Sequence, residues 1–162
     1  MMERTPRDSA HTPAHILVMD DTSSILELVQ ELLVDEGYRV TTCRELLDLP
    51  QLHVVQPDLI MMDLLFAGMC ETGVQFATAA RLDPALAHIP IVFCTAAMRE
   101  VRDEVMAERL RQLRVRVVLK PFDIDELLAV LAEALIASQR SHLIAPHSLQ
   151  SIAAPEHPAA VL

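Results

Sequence analysis

The chain has 162 residues, which suits one domain with a hydrophobic core of its own. Its formal net charge is −10, and the central part of the chain carries that whole excess, which argues against a protein that binds nucleic acid through a basic face. The three cysteines lack metal-ligand spacing, and neither a signal peptide nor an apolar run of about 18 residues is present. We therefore expect reduced thiols, a cytoplasmic location and no membrane span.

Apolar runs and helical periodicities alternate along the chain. Residues 15–19 form the first apolar run, which ends on two acids. In the helix that follows, Thr22 or Ser23 can cap the start and Gly37 the end. The 3.6-residue spacing of its apolar positions predicts one buried face. That face comprises Ile25, Leu28, Val29, Leu32 and Leu33.

The middle of the chain holds two more strand candidates. Residues 38–43 are β-prone but polar, which predicts an edge strand. Pro50 interrupts the helical pattern of residues 44–56, so we expect a short or irregular helix there. Residues 59–62 are apolar without alternation, as in a strand buried on both faces, although so short a run also fits a buried helical turn. This run ends on Asp63.

The same alternation continues to the end of the chain. Polar residues again follow the apolar runs, and the last helix opens at Asp123 with apolar positions on one face. The predicted elements are a loop over 64–72, a helix over 73–82, a strand over 89–94 that ends on Thr95, one amphipathic helix over 97–113, a strand over 115–119 before Lys120, and a final helix with Ile124, Leu127, Leu128, Leu131 and Leu135 on its buried face.

Five strand–helix pairs in succession predict an α/β fold, a doubly wound five-stranded parallel sheet with right-handed crossovers. The carboxyl ends of parallel strands lie at one edge of such a sheet, where ligands bind. Polar side chains follow four of the predicted strands and can converge at that edge. They are Asp20, Asp21, Asp63, Thr95 and Lys120.

These residue types favour phosphoryl transfer. Three neighbouring carboxylates repel one another unless a cation lies between them, and oxygen ligands of this kind suit Mg²⁺. A lysine supplies a compact positive charge for a phosphoryl group, and a threonine hydroxyl can donate a hydrogen bond to it. Asp63 can itself be the nucleophile and become an aspartyl-phosphate. Taken singly, Asp63, the Asp20–Asp21 pair and Thr95 also fit ordinary helix caps.

Four motifs in this order resemble the receiver domain of response regulators, the CheY-like phosphoacceptor half of two-component signalling. They are Ile16-Leu17-Val18-Met19-Asp20-Asp21, Pro57-Asp58-Leu59-Ile60-Met61-Met62-Asp63, Cys94-Thr95-Ala96 and Lys120-Pro121-Phe122. The resemblance covers residues 14–137. It implies a flavodoxin-like sheet in the order 2-1-3-4-5, and a histidine kinase or phosphotransfer protein that hands its phosphoryl group to Asp63 in a phosphorelay.

The resemblance also assigns roles within the site. It implies an Mg²⁺ site made by Asp20, Asp21, Asp63 and the backbone carbonyl of Leu65, with Asp20 acting through a metal-bound water. Thr95 and Lys120 then contact the phosphoryl group. In this family the peptide bond after that lysine is often cis.

Several positions depart from the family pattern. The loop after Asp63 lacks the usual Met-Pro pair, and residues 111–114 replace the Gly-Ala pair common before the last strand. Val117 takes the place of the switch aromatic, and valine is stiff at χ1. Leu65 and Ala97 occupy the positions that flank the attacking water, and neither can orient it by a hydrogen bond. We therefore predict slow autodephosphorylation, because positioning dominates this chemistry.

We expect a stand-alone receiver over residues 13–138, with a flexible arm over 1–12 and a flexible tail over 139–162 that is too short for a DNA-binding module. It would act through an unknown downstream protein, with a homodimer possible. One alternative is a receiver-fold scaffold that works without phosphorylation. An aspartate-nucleophile phosphatase is improbable, because Leu65 replaces the second aspartate of such enzymes. The arginine cluster 109, 111, 114 and 116 fits a solvated surface better than a docking surface.

Overall fold

In the computed structural model, which describes residues 12–144, five parallel strands form one sheet in the order β2-β1-β3-β4-β5. The predicted sheet and its order are confirmed, and the polar second strand lies at an edge as expected. The strands are β1 (His15–Met19), β2 (Arg39–Cys43), β3 (Leu59–Met62), β4 (Ile91–Thr95) and β5 (Arg116–Leu119).

Six helices are described between and after the strands. They are α1 (Ser23–Asp35), α2 (Leu49–Val55), α3 (Cys70–Leu82), α4 (Met98–Arg102), α5 (Glu104–Gln112) and α6 (Ile124–Ile144), with a 3₁₀ turn at Phe66–Gly68. No helix among residues 12–144 is both long enough and apolar enough to cross a bilayer.

Side chains of successive strand residues alternate between two cores, one on each face of the sheet. Leu17, Met19 and Phe93 belong to one core, which also receives α3 and α5. Ile16 and Val18 belong to the other, under α1 and α6. Three of the four phenylalanines are buried, so aromatic side chains also contribute to the core: they are Phe66, Phe76 and Phe93.

The predicted buried faces of the first and last helices need one correction each. Val29 and Leu33 are fully buried, but Leu28 is 50% exposed because it lies about 100° around the helix from Val29. In α6, Leu127 and Leu131 are fully buried, whereas Ile124 in the first turn is 48% exposed.

The single helix predicted over 97–113 is wrong, because α4 and α5 are separate. Asp103 breaks the helix with an extended backbone, and its side chain accepts hydrogen bonds from the amides of Val105 and Met106. An aspartate that caps the next helix in this way competes with continued helix formation.

Two helix boundaries also differ from prediction. α3 begins at Cys70, three residues before the predicted start, so Gly73 lies inside it. α6 continues six residues beyond the expected domain end at 138, because nothing in residues 139–144 stops a helix before Pro146. Residues 1–11 and 145–162, which hold most of the predicted arm and tail, lie outside the described residues.

Candidate functional site

The carboxyl ends of the strands bring together residues from distant parts of the sequence. Met19 and Met62 are register partners, and the Asp63 amide donates to the Met19 carbonyl at 3.1 Å, so Asp20 and Asp63 leave neighbouring strands side by side. On the other side, the Lys120 amide donates to the Thr95 carbonyl at 2.8 Å. The predicted site residues therefore follow strands that are adjacent in the sheet.

Lys120 contacts two of the predicted carboxylates. Its Nζ lies 2.6 Å from Asp20 Oδ2 and 3.4 Å from Asp63 Oδ2. The side chains are only 16%, 4% and 14% exposed for Lys120, Asp20 and Asp63, so water screens this group weakly. A cation between two carboxylates offsets the repulsion that would otherwise separate them.

Each of these carboxylates is also oriented by a backbone amide two residues further along the chain. The Thr22 amide donates to Asp20 Oδ1 at 2.9 Å, and the Leu65 amide donates to Asp63 Oδ1 at 2.9 Å. This is the local turn geometry that aspartate adopts readily. Oδ2 of Asp63 is left with the longer contact to Lys120, and is the less strongly bound of its two oxygens.

The charges of the site shift the titration of its neighbours. Burial by itself lowers the pKa of Lys120, but the hydrogen bond to Asp20 and the charge of Asp63 outweigh it and raise that pKa. Burial raises the pKa of the Cys94 thiol to about 12, with Lys120 opposing and the two aspartates adding to the shift. Cys94 is therefore a neutral buried side chain, and all three cysteines are free.

The remaining predicted site residues are placed at the same edge but make other contacts. Asp21 is exposed, and among the described residues its carboxylate accepts only a 3.4 Å hydrogen bond, from the Thr22 hydroxyl. Thr95 is fully buried, and its hydroxyl accepts from the Ala97 amide at 3.2 Å. The Leu65 carbonyl accepts from the Gly68 amide at 2.8 Å, within the 3₁₀ turn.

These donors fit Mg²⁺ by their chemistry. Mg²⁺ keeps several waters and takes one or two carboxylates. The Asp21 carboxylate is only weakly bonded, Oδ2 of Asp63 has only the longer contact to Lys120, and the Leu65 carbonyl has a second lone pair. Among the side chains described for residues 12–140, no three His, Cys, Asp or Glu side chains converge closely enough to hold a metal by themselves. An Mg²⁺ ion bound here would therefore take most of its ligands from water and backbone oxygen.

The loop after Asp63 is rebuilt around close packing. Leu64 is buried, and Ala67 and Gly68 both adopt positive φ, at 52° and 76°. A Cβ on Gly73 would lie 2.8 Å from the Leu64 carbonyl oxygen, so this glycine lets α3 approach the backbone next to Asp63. Val117, at the position of the usual aromatic, is partly buried and packs against the core shared with α3 and α5.

The family model of the response regulator receiver domain matches residues 16–132. The chain is 33% identical over 111 residues to the chemotaxis protein CheY of Pseudomonas aeruginosa, covering 66% of this chain and 84% of that protein. It is 31% identical over 134 residues to the DNA-binding dual master transcriptional regulator RpaA of Synechocystis, covering 82% of this chain and 54% of that protein.

Solved structures agree with this. The chemotaxis protein CheY4 of Vibrio cholerae aligns with a TM-score of 0.62 at 26% identity, over 76% of this chain and 99% of that one. The CheY-like receiver domain protein of Methanospirillum hungatei shares the fold with a TM-score of 0.67 at 20% identity, over 80% of this chain and 99% of that one.

The chain belongs to the response regulator receiver domain family of two-component signalling. Proteins of this family are signalling phosphoacceptors that are generally not enzymes. They interact with histidine kinases and downstream effectors and typically bind Mg²⁺ at an acidic pocket.

The structure divides the arginine cluster that the sequence suggested. Arg109, Arg111 and Arg116 form ion pairs with Glu71, Glu108 and Glu133. Arg114 makes no such pair with the side chains described for residues 12–140 and instead lines a cavity with Arg81, a residue that sequence reasoning missed. The only sequence signal for it is a charged residue at the end of an otherwise apolar helical face.

Proposed function

We propose that this receiver domain accepts a phosphoryl group on Asp63 from a histidine kinase or phosphotransfer protein, and signals in the cytoplasm by a changed affinity for a downstream protein. The observation that carries the proposal is the contact of Lys120 with both Asp20 and Asp63 across three strands. A buried lysine that bridges two strand-end carboxylates provides the fixed positive charge that phosphoryl transfer requires.

We assign Oδ2 of Asp63 as the attacking oxygen, because Oδ1 is bonded to the Leu65 amide. The new bond joins Oδ2 to phosphorus, and the bond between phosphorus and the donor's leaving atom breaks, with its electron pair going to that atom. Lys120 and the Thr95 hydroxyl are proposed to contact the phosphoryl oxygens. A lysine already beside Oδ2 needs little rearrangement for that role.

The proposal includes Mg²⁺ held by Asp21, Asp63 and the Leu65 carbonyl, with Asp20 acting through a metal-bound water. The ion would supply positive charge that offsets the charge on the transferring group. The chain's own contribution is to orient Asp63 through the Leu65 amide and to keep the second carboxylate, Asp20, bound to Lys120.

We also propose that the phosphorylated state is long-lived. Ala97 is 2% exposed and Leu65 is partly buried, and neither side chain offers a hydrogen bond that would position an attacking water. Without a side chain that positions the water, hydrolysis of the aspartyl-phosphate should be slow.

Stand-alone action is also part of the proposal. It is supported by the chemotaxis protein CheY of Pseudomonas aeruginosa, of which this chain covers 84%. The chain covers only 54% of the transcriptional regulator RpaA, so that relative does not support stand-alone action.

A scaffold that works without phosphorylation is the second candidate. It is favoured by the rebuilt loop next to Asp63 and by Val117, whose short side chain cannot reproduce the movement of an aromatic. The contact of Lys120 with Asp63 speaks for the first candidate, because a scaffold has no need of a lysine at that carboxylate.

The test is the intact mass of the protein after incubation with Mg²⁺ and acetyl phosphate. We expect wild type to gain one phosphoryl group, Asp63→Asn to gain none, and the matched control Asp35→Asn, on the exposed end of α1, to behave as wild type. Equal phosphorylation of Asp63→Asn would contradict the site. No gain by wild type, with Mg²⁺ binding shown separately, would favour the scaffold.

A further inference from the structure

A cavity of about 520 Å³ lies at the amino end of the sheet, opposite the strand ends that carry Asp63 and Lys120. It is bounded by the segments that precede β4 and β5 and by the C-terminal half of α6. Its volume is in the range of small-molecule sites. Three arginines line it, Arg81, Arg114 and Arg116, and no acidic residue among those described does so.

The first of these arginines is fixed in place by the backbone. Arg81 Nε donates to the Leu113 carbonyl at 2.8 Å, and Nη1 donates to the carbonyls of Ile89 at 2.8 Å and Ala87 at 3.2 Å. Carbonyl groups are neutral, so these bonds orient the guanidinium without cancelling its charge. Burial and the like charge of Arg114 both lower the pKa of Arg81, which indicates uncompensated positive charge here.

The second arginine is unpaired and held in a strained conformation. Arg114 has a φ of 52°, in the left-handed region that glycine adopts freely and other residues at a cost in free energy. Its exposed side chain forms no hydrogen bond or ion pair with the groups described for residues 12–140. This conformation ends α5, since the Val115 amide donates to the Leu110 carbonyl at 3.3 Å, and it fixes the backbone from which the Arg114 side chain reaches the cavity.

The third arginine and the apolar wall complete the cavity. Arg116 forms an ion pair with Glu133, at 2.8 Å. Arg114 is therefore the arginine whose guanidinium N–H groups are available to a ligand. Pro84, Pro90 and Ala134 contribute apolar surface beside the charges. A ligand that matches both parts carries a compact anionic group and an organic portion.

We propose that this cavity binds a small organic phosphate monoester, with its phosphate on Arg114 and its organic part against the apolar wall. The guanidinium fork matches phosphate oxygens in pairs, which is why arginine is preferred at such sites. Arg81 supplies fixed positive charge behind the phosphate, and binding would relieve the repulsion between the two arginines. This site is separate from the proposed phosphoacceptor and does not depend on it.

The experiment is a calorimetric titration of the full chain with adenosine monophosphate, inorganic phosphate and adenosine, at constant ionic strength. We expect saturable binding of adenosine monophosphate, weaker binding of inorganic phosphate and none of adenosine. Arg114→Gly should weaken the binding of both phosphates by about tenfold or more, because a charge-assisted bidentate contact is lost. That variant should melt no lower than wild type, since glycine suits the left-handed backbone.

Two controls make the outcome specific. Arg111→Gln removes an exposed arginine that pairs with Glu108 and does not line the cavity, so its affinities should equal those of wild type. Asp63→Asn should also bind normally, which separates this cavity from the phosphoacceptor. Should Arg114→Gly fail to fold, Arg114→Asn replaces it, because asparagine tolerates the left-handed region.

Three results would overturn the proposal. The first is no saturable binding of either phosphate by wild type at about 10 mM, far above the concentrations at which a specific site fills. The second is unchanged affinity in the folded Arg114 variant. The third is loss of binding in Asp63→Asn, which would place the phosphate at the carboxyl end of the sheet.

Discussion

The two ends of the sheet handle charge in opposite ways. At the carboxyl end, Lys120 is paired with Asp20 and lies close to Asp63, so each of these charged groups has a neighbour of opposite sign within the chain. At the amino end, the Arg81 guanidinium donates to carbonyl groups, and the Arg114 side chain has no hydrogen-bond or ion-pair partner among the side chains that the structure describes. One end is a closed ion-paired site, and the other is an open positive one.

This difference shows that charged groups with and without ion-pair partners can both form binding sites, so ion pairing alone does not show where a ligand binds. A site whose charged groups are already paired must exchange those partners for a ligand, so its ligand has to compete with contacts already made. A site whose charged groups have no partner of opposite sign offers its charge directly to a ligand, and its guanidinium groups are held by neutral carbonyl groups instead. The following predictions separate these two modes, from the largest expected effect to the smallest.

Removing Arg81 at the amino end of the sheet should lower the free energy of unfolding the most. Arg81→Met leaves three backbone carbonyls without their donor, and we expect the free energy of unfolding to fall by about 3 kcal/mol. Chemical denaturation measures this. Arg111→Gln is the control, because it removes an exposed pair and should change stability by less than about 0.5 kcal/mol. Equal losses in the two variants would mean that the carbonyl contacts of Arg81 contribute little.

Removing the cation at the carboxyl end should cost less and respond to metal. Lys120→Met leaves Asp20 and Asp63 facing each other, and we expect a loss of about 2 kcal/mol. Added Mg²⁺ should reduce the difference from wild type, since a cation again lies among the carboxylates. A loss that Mg²⁺ leaves unchanged would count against metal binding here.

The same variant gives a pH test. Because the folded-state pKa of Lys120 is raised, its stabilising effect is fully present below the unfolded-state pKa of about 10.4 and is lost as pH rises through the higher folded-state pKa. The stability difference between wild type and Lys120→Met should therefore be constant near neutral pH and shrink in strong alkali. A difference that grew with rising pH would contradict the pairing.

The loop at the carboxyl end should be sensitive to a single methyl group. In Gly73→Ala the new Cβ meets the Leu64 carbonyl, and we expect a net loss of about 1.5 kcal/mol despite the better helix propensity of alanine. The rate of phosphorylation by acetyl phosphate should also fall, because Leu64 adjoins Asp63. Gly37→Ala is the control. Gly37 has a φ of 86°, and a Cβ added there would meet no atom within 4 Å. This variant should therefore lose stability through backbone strain alone, without a change in the phosphorylation rate.

The smallest effect concerns the lifetime of the phosphoryl group. Leu65→Gln introduces a side chain that can orient water, and we expect autodephosphorylation to accelerate by about tenfold, which corresponds to about 1.4 kcal/mol of activation free energy. Decay of the phosphorylated mass with time gives the rate. Leu65→Met, which keeps an apolar side chain, should decay as wild type. Rapid decay in wild type, unchanged by Leu65→Gln, would refute the slow-loss proposal.

Local rules allowed the fold to be predicted because they agree with one another. The run Leu59–Met62 shows no alternation because both faces of β3 are buried, and Gly37 ends α1 because its φ of 86° suits the helix C-terminus. Where two local rules compete, prediction failed. Asp103 lies in a helical pattern, yet it caps the next helix, and no glycine or proline in the sequence announces the break.

The amino acid sequence alone therefore determined the order of the elements and which residues follow each parallel strand. It could do so because buried strands appear as continuous apolar runs and helices as apolar positions with a 3.6-residue period. It placed Asp20, Asp63, Thr95 and Lys120 at one edge. Only the tertiary structure decided that Lys120 contacts Asp20 more closely than Asp63, and that Arg81 and Arg114 meet at the opposite edge. Such contacts depend on distances between side chains from separate elements, which no local pattern encodes.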